Sequence, residues 1–329
     1  MTPGAWPRRD PQRLLWIGDT VRDRLFVDLP DLLEPGDLLV LNDAATLPGS
    51  LRGDGIELRL LGFDHRGWRA VLFGEGDWRD NTDHRPAPPS VEVFKVGDLE
   101  VSIVDRDPRT PRLVTVTFDR VGPPLWEALY RLGRPVQYSY LHSDLPLSAV
   151  QTVYASRPWA AEMPSAGRPI TWNILSNLRD RGIGLASLTH AAGLSATGDP
   201  VVDALLPLPE SYDISESTVK AIGEARRVIA VGTSVVRALE GNFASNGRLV
   251  AGVGLTDLII DRDFERRVVH GLLSGMHEPE ETHFRLHEAF APTSVLLDSY
   301  SHAVDAGYKN HEFGDSTLII PRRPAGSLR

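Results

Sequence analysis

The residues best suited to chemistry are concentrated late in the chain. Eight of the ten histidines follow residue 140, and the stretch SGMHEPEETHFRLHEAF (274–290) carries three of them. Histidine is the side chain whose charge changes near neutral pH, so it is the usual carrier of protons. Pro279 interrupts this stretch, which predicts that His277 and Glu278 lie on a loop ahead of a helix. A loop after a strand is where proton-transfer groups are commonly presented, so these two are the catalytic candidates. His283 and His287, four apart, share a helix face, and Glu280 with His283 has metal-ligand spacing. There is no third ligand of the zinc-protease kind and no matching second helix, so no metal is expected.

Three other stretches are candidate ligand-binding sites, the first of them for an anion. In RVIAVGTSVVRALE (227–240) a β-branched apolar run enters a turn at Gly232, followed by Thr233 and Ser234 at helix N-cap positions, with Arg237 one turn on. A helix start leaves N–H groups unpaired and attracts a carboxylate or phosphate. In PSAGRPIT (164–171) the small residues Ser165, Ala166 and Gly167 allow close approach of a ligand to the backbone. Arg168 adds a cation there, and Thr171 can cap the next helix. In HEFGDSTLI (311–319), His311 and Asp315 stand at the entrance to a final strand, a common place for a site in an α/β sheet.

The elements that must position these groups follow from periodicity. LPDLLEPGDLLVLNDAATLPGSLRG (29–53) reads as a short helix, a Pro-Gly turn and a buried strand, Leu38 to Leu41. Residues 52–145 alternate apolar and polar residues between Gly, Asp, Asn and Pro, which predicts a small all-β module ending in a helix near 123–133. Within it, DWRDNTDHRPAPPS reads as a mobile loop. After 150, helical and strand patterns alternate. The fold class is therefore α/β, discontinuous in sequence (1–51 and 146–329), with the β module (52–145) inserted.

Composition sets the outer bounds. The chain has 329 residues, 42% hydrophobic and 24% charged, a net charge of −9 and no cysteine. Disulfides and thiolate chemistry are excluded. No apolar run is long enough to span a bilayer, and the N-terminus lacks a signal-peptide core. A cytoplasmic protein is expected, with a monomer favoured. The negative charge argues against a broad nucleic-acid-binding surface, and the cluster Arg262, Arg266, Arg267 reads as a solvated face.

Taken in order, PGDLLVLNDAATLPGSLRG, QTVYA (151–155), PSAGRPIT, AVGTSVVRALE, GLTDLII (254–260), HEP (277–279) and HEFGDSTLI resemble the S-adenosylmethionine:tRNA ribosyltransferase-isomerases of queuosine biosynthesis. The resemblance runs from about residue 29 to 320. It implies a barrel-like α/β domain interrupted by a small β-barrel, and S-adenosylmethionine as co-substrate. Its ribosyl part would pass to an aminomethyl-deazaguanine base in tRNA and isomerise, with adenine and methionine released. The resemblance also implies a catalytic role for His190, in LTHAAGLS (188–195), where the family histidine is displaced. Pro169 stands where the family carries a histidine, and an acid replaces a family base after HEP. These departures leave two alternatives open: a lyase or small-molecule transferase not acting on tRNA, and a non-catalytic S-adenosylmethionine-binding protein.

Overall fold

A computed structural model describes residues 1–8, 10–194 and 196–321. Ser195 of the 188–195 segment, and 322–329 of the expected α/β range, lie outside the described residues. The larger sheet has nine strands, in the spatial order Gly252–Thr256, Glu210–Ile214, Gly184–His190, Asp37–Asn42, Arg227–Val231, Gly271–Gly275, Ser316–Ile319, Arg13–Ile17 and Val21–Leu25. The four strands from Gly184–His190 to Gly271–Gly275 are mutually parallel.

Parallel strands covered on both faces need apolar side chains at every position. Strand Asp37–Asn42 is buried throughout. Because side chains alternate between faces, Leu38, Val40, Val228 and Ala230 join one core with Val235 and Leu239 of helix Thr233–Asn246. Leu39, Leu41, Ile229 and Val231 join a second core with Ile174 and Leu178 of helix Trp172–Asp180. Two helical layers thus clamp the parallel strands, and their ends cannot shift independently.

The smaller sheet is wholly antiparallel, in the order Ser50–Gly53, Ile56–Asp64, Gly67–Phe73, Leu113–Phe118, Leu99–Arg106, Val93–Val96. Its first and last strands meet: a Cβ built on Gly53 would fall 1.9 Å from the Lys95 carbonyl oxygen. The sheet is therefore a nearly closed barrel. Leu58, Val101 and Val116 form its core with Leu125 and Leu129 of helix Pro123–Leu132. In the nine-stranded sheet the edge strands Gly252–Thr256 and Val21–Leu25 do not pair with each other among the described residues, so barrel closure belongs to the small sheet.

The stretch read as a mobile loop is fastened instead. Arg85 is buried and bonds Glu57 and the Gly74 and Gly76 carbonyls. Trp78 Nε1 donates to Asp144 at 2.6 Å. Glu57 also accepts from Ser50 Oγ at 2.7 Å and Arg59 Nε at 2.9 Å. Burial alone would raise the Glu57 carboxyl, but Arg59 and Arg85 bring it down to about 2.

Candidate active site

Strand direction gathers the functional groups. The parallel strands end on one side of the sheet at His190, Asn42, Val231 and Gly275, where α/β proteins bind ligands. Asn42, directly after the apolar strand, laces this edge: its Nδ2 donates to the His190 carbonyl (3.1 Å) and to Ser234 Oγ (3.3 Å), and its Oδ1 accepts from His190 N (2.9 Å). Gly232 itself is the N-cap of Thr233–Asn246, at φ 93°, with no side-chain cap bond. Thr233 and Ser234 are the first helical residues, so the expected hydroxyl caps are not made. The left-handed turn is the reason glycine stands there. A Cβ on Gly232 would lie 3.6 Å from Ala166 Cβ, so the two small-residue turns adjoin.

Arg237 does not offer the free cation expected from its position. It pairs with Glu210, and its Nε donates to the Leu258 carbonyl at 3.1 Å. Glu210 also accepts from Gly193 N at 2.7 Å. His190 Nε2 lies 3.4 Å from Glu210 Oε2 and is fully buried. Burial pushes this imidazole down to about 4, and Arg237 outweighs part of the pull of Glu210. At neutral pH His190 is an uncharged ring, which ill suits it to donate protons.

Arg168 is the cation that stands ready. Its guanidinium carbon lies 4.5 Å from the Trp6 ring centroid and 4.8 Å from that of Phe313. Its only hydrogen bond is Nε to the Ala149 carbonyl, 3.2 Å, and no carboxylate pairs with it among the described residues. Glu162, just ahead of this stretch, accepts from the Tyr138 hydroxyl. Gly167 does not make room for a ligand, because a Cβ there would fall 1.9 Å from Tyr154 Oη. Thr171 caps Trp172–Asp180, accepting from Ile174 N at 3.3 Å. Asp315 is occupied by Arg8, Arg13 N (2.9 Å) and Lys309 N (2.9 Å), so it ties the N-terminal strand to the last one.

A small cavity joins Ser165, Arg168, Gly275, His311, Glu312 and Asp315. His311, at φ 63°, stacks on Tyr140 with ring centroids 4.6 Å apart. Glu312, beside it, was not singled out from sequence. Its Oε2 is enclosed without a hydrogen-bond partner among the described residues, and burial pushes the carboxyl up to about 7. A roomier depression is lined by Ile17, Asp19, Phe290 and Val295 among others, and holds none of the candidate residues.

The raised carboxyl has a testable sign. A folded value near 7 against an unfolded 4.5 stabilises the protein fully below pH 4.5, and that contribution is lost as pH rises through about 7. Glu312→Gln, which keeps the neutral shape, is expected to gain Tm relative to the wild type between pH 5 and 8. A constant Tm difference across that range would contradict the enclosed carboxyl.

His277 follows strand Gly271–Gly275, and its Nδ1 lies 2.9 Å from Glu281 Oε2. Burial would raise Glu281, but the hydrogen bond and charge of His277 hold it below the usual range. The His283 ring stacks 4.7 Å from that of His277, and His287 meets His277 edge-on at 5.4 Å. Burial, then His277 and Arg237, push His283 down to about 3. Glu278 is engaged instead by Asn310 Nδ2 (2.9 Å) and the Met1 amine (3.1 Å). Glu281, not Glu278, is the carboxylate that orients His277. Gly275 lines the Arg168 cavity, and a Cβ built on it would fall 3.6 Å from His277 Nε2, so that cavity and the histidine cluster adjoin.

The chain matches the queuosine biosynthesis protein family over residues 3–319. It is 35% identical over 334 residues to the S-adenosylmethionine:tRNA ribosyltransferase-isomerase of Thermosynechococcus vestitus, covering 95% of this chain and 90% of that one. It is also 35% identical to the enzyme of that name from Azoarcus, covering 94% and 91%. Its fold is like that of the crystal structure of an S-adenosylmethionine tRNA ribosyltransferase from Thermotoga maritima, with a TM-score of 0.52 and 24% identity over 97% of this chain and 96% of that one. A match of this extent means that the chain belongs to the queuosine biosynthesis protein family.

Proposed function

We propose that this chain, like its named relatives, is an S-adenosylmethionine:tRNA ribosyltransferase-isomerase: it moves the ribosyl part of S-adenosylmethionine to the aminomethyl group of a deazaguanine base in tRNA and isomerises it, releasing adenine and methionine. The reading extends to 52–145 as an inserted domain between the halves of the catalytic one, and to the cytoplasm, where tRNA is found. One observation supports carrying the reading to this chain's own residues: Arg168, paired with no carboxylate among the described residues, lines a cavity with Gly275, and Gly275 adjoins His277, an imidazole held by a carboxylate.

The chemistry follows from the substrate. The sulfonium acidifies the adjacent 5′ protons, so a base of modest strength suffices, and His277 held by Glu281 takes that part. Adenine needs a proton as it leaves, and Glu312, poised near neutrality, supplies it. Arg168 seats the methionine carboxylate, reinforced by the helix start at Gly232. His190, Glu210 and Arg237 form a charge-balanced support beneath the strand ends. Arg168→Met is expected to raise KM for S-adenosylmethionine by about 10–100-fold, the value of one or two charge-assisted hydrogen bonds. Unchanged KM would remove Arg168 from the site.

Pro169, in place of the family histidine, favours a second reading, in which S-adenosylmethionine is cleaved without tRNA. Incubation with S-adenosylmethionine, with and without tRNA carrying the aminomethyl base, tests both. Adenine and methionine released only with tRNA supports the proposal. Release without tRNA supports the second reading, and binding without products would leave a non-catalytic S-adenosylmethionine-binding protein.

A further inference from the structure

We infer that His277, Glu281 and His283 form a binding site for a divalent transition-metal ion of the zinc kind. The sequence showed only pairs of potential ligands on one short helix and no third group. The fold supplies the third by bringing the pre-helix loop back over helix Thr282–His287. One ligand atom from each of the three residues lies within 4.8 Å of the other two. Three points so spaced always have a common centre no more than about 2.8 Å from each, and zinc takes imidazole nitrogen and carboxylate oxygen at about 2.0–2.2 Å. A contraction of less than about an ångström per side chain therefore closes the shell.

The donor set selects the class of ion. Two imidazoles and one carboxylate suit zinc and its transition-metal neighbours; magnesium and calcium prefer all-oxygen shells. A second observation points the same way. His287 meets the His277 ring edge-on, and its Nε2 is buried without a hydrogen-bond partner among the described residues. It places a further imidazole against the three.

A bound cation would displace the proton shared between His277 Nδ1 and Glu281 Oε2. If His277 is the base proposed above, occupancy blocks turnover, and this consequence alone rests on that reading. The binding test does not. The full-length chain, free of affinity tags and stripped with chelator, is titrated with Co²⁺ and followed by its visible ligand-field absorption, then with Zn²⁺ in competition. One equivalent of Co²⁺ at micromolar affinity, displaced by Zn²⁺, is expected. Glu281→Gln and His283→Ala should each weaken binding by at least about 100-fold. His302→Ala, which alters a histidine engaged with Asp23 instead, should not. Circular dichroism checks that His283→Ala folds; if it does not, the partly exposed Glu281→Gln decides. Failure to bind Co²⁺ below millimolar concentration, or undiminished binding in Glu281→Gln, overturns the site.

Discussion

His277→Ala is expected to lower kcat by about 10²–10⁴-fold, the usual value of a positioned general base. The side chain is 20% exposed, and its ring hydrogen bond is to Glu281. Among the described residues no backbone group hydrogen-bonds to it, so the fold should survive, with Tm changed little. Glu281→Gln should cost less, since it removes the orienting charge and leaves the imidazole. Both are to be measured in chelator, so that loss of a bound cation is not what is read. Wild-type kcat in His277→Ala would remove the base from the mechanism and leave the family reaction to be assigned to another group.

The largest structural effect is expected in the small barrel. Glu57 lies between Arg59 and Arg85, whose side chains are 0% and 1% exposed. Both guanidiniums also approach the Phe73 ring, at 4.5 and 5.2 Å. Glu57→Gln leaves two buried cations without a counter-charge, which destabilises by about 3–5 kcal/mol. Urea unfolding measures it, and a loss below about 1 kcal/mol would show that water or rearrangement compensates. The pH dependence has the opposite sign to that of Glu312. A folded value near 2 against an unfolded 4.5 gives stability that is present above pH 4.5 and lost as pH falls through about 2. Replacing all three by apolar residues of similar volume should recover much of the loss, because the desolvation of the charges is then avoided.

The parallel strands were legible because burial on both faces demands the uninterrupted apolar runs at 38–41 and 228–231. The barrel was legible because antiparallel strands alternate. Strand Val21–Leu25 was not, since an exposed edge strand has no apolar face to announce it. The partners of charged groups were less legible still. Arg237 sits where a ligand-binding cation would, yet Glu210, 27 residues earlier, neutralises it through a strand pairing that periodicity does not reveal. Arg168 was found, but its aromatic clamp joins Trp6 to Phe313, and no local pattern links those two. Gly167 suggested an open approach because the sequence names the missing side chain and not Tyr154, which occupies its place. Glu312 was passed over because only burial makes an ordinary glutamate an acid near neutrality.

Strand Arg13–Ile17 pairs in parallel with Ser316–Ile319, and Asp315 holds both. During synthesis the early strand therefore has no neighbour on that side until some three hundred further residues have emerged. The barrel, whose pairings all fall within residues 50–118, can assemble on the ribosome while the early strand waits. A nascent chain stalled before residue 316 would expose an apolar ribbon seeking a mate, and holdase chaperones should crosslink to that segment until release.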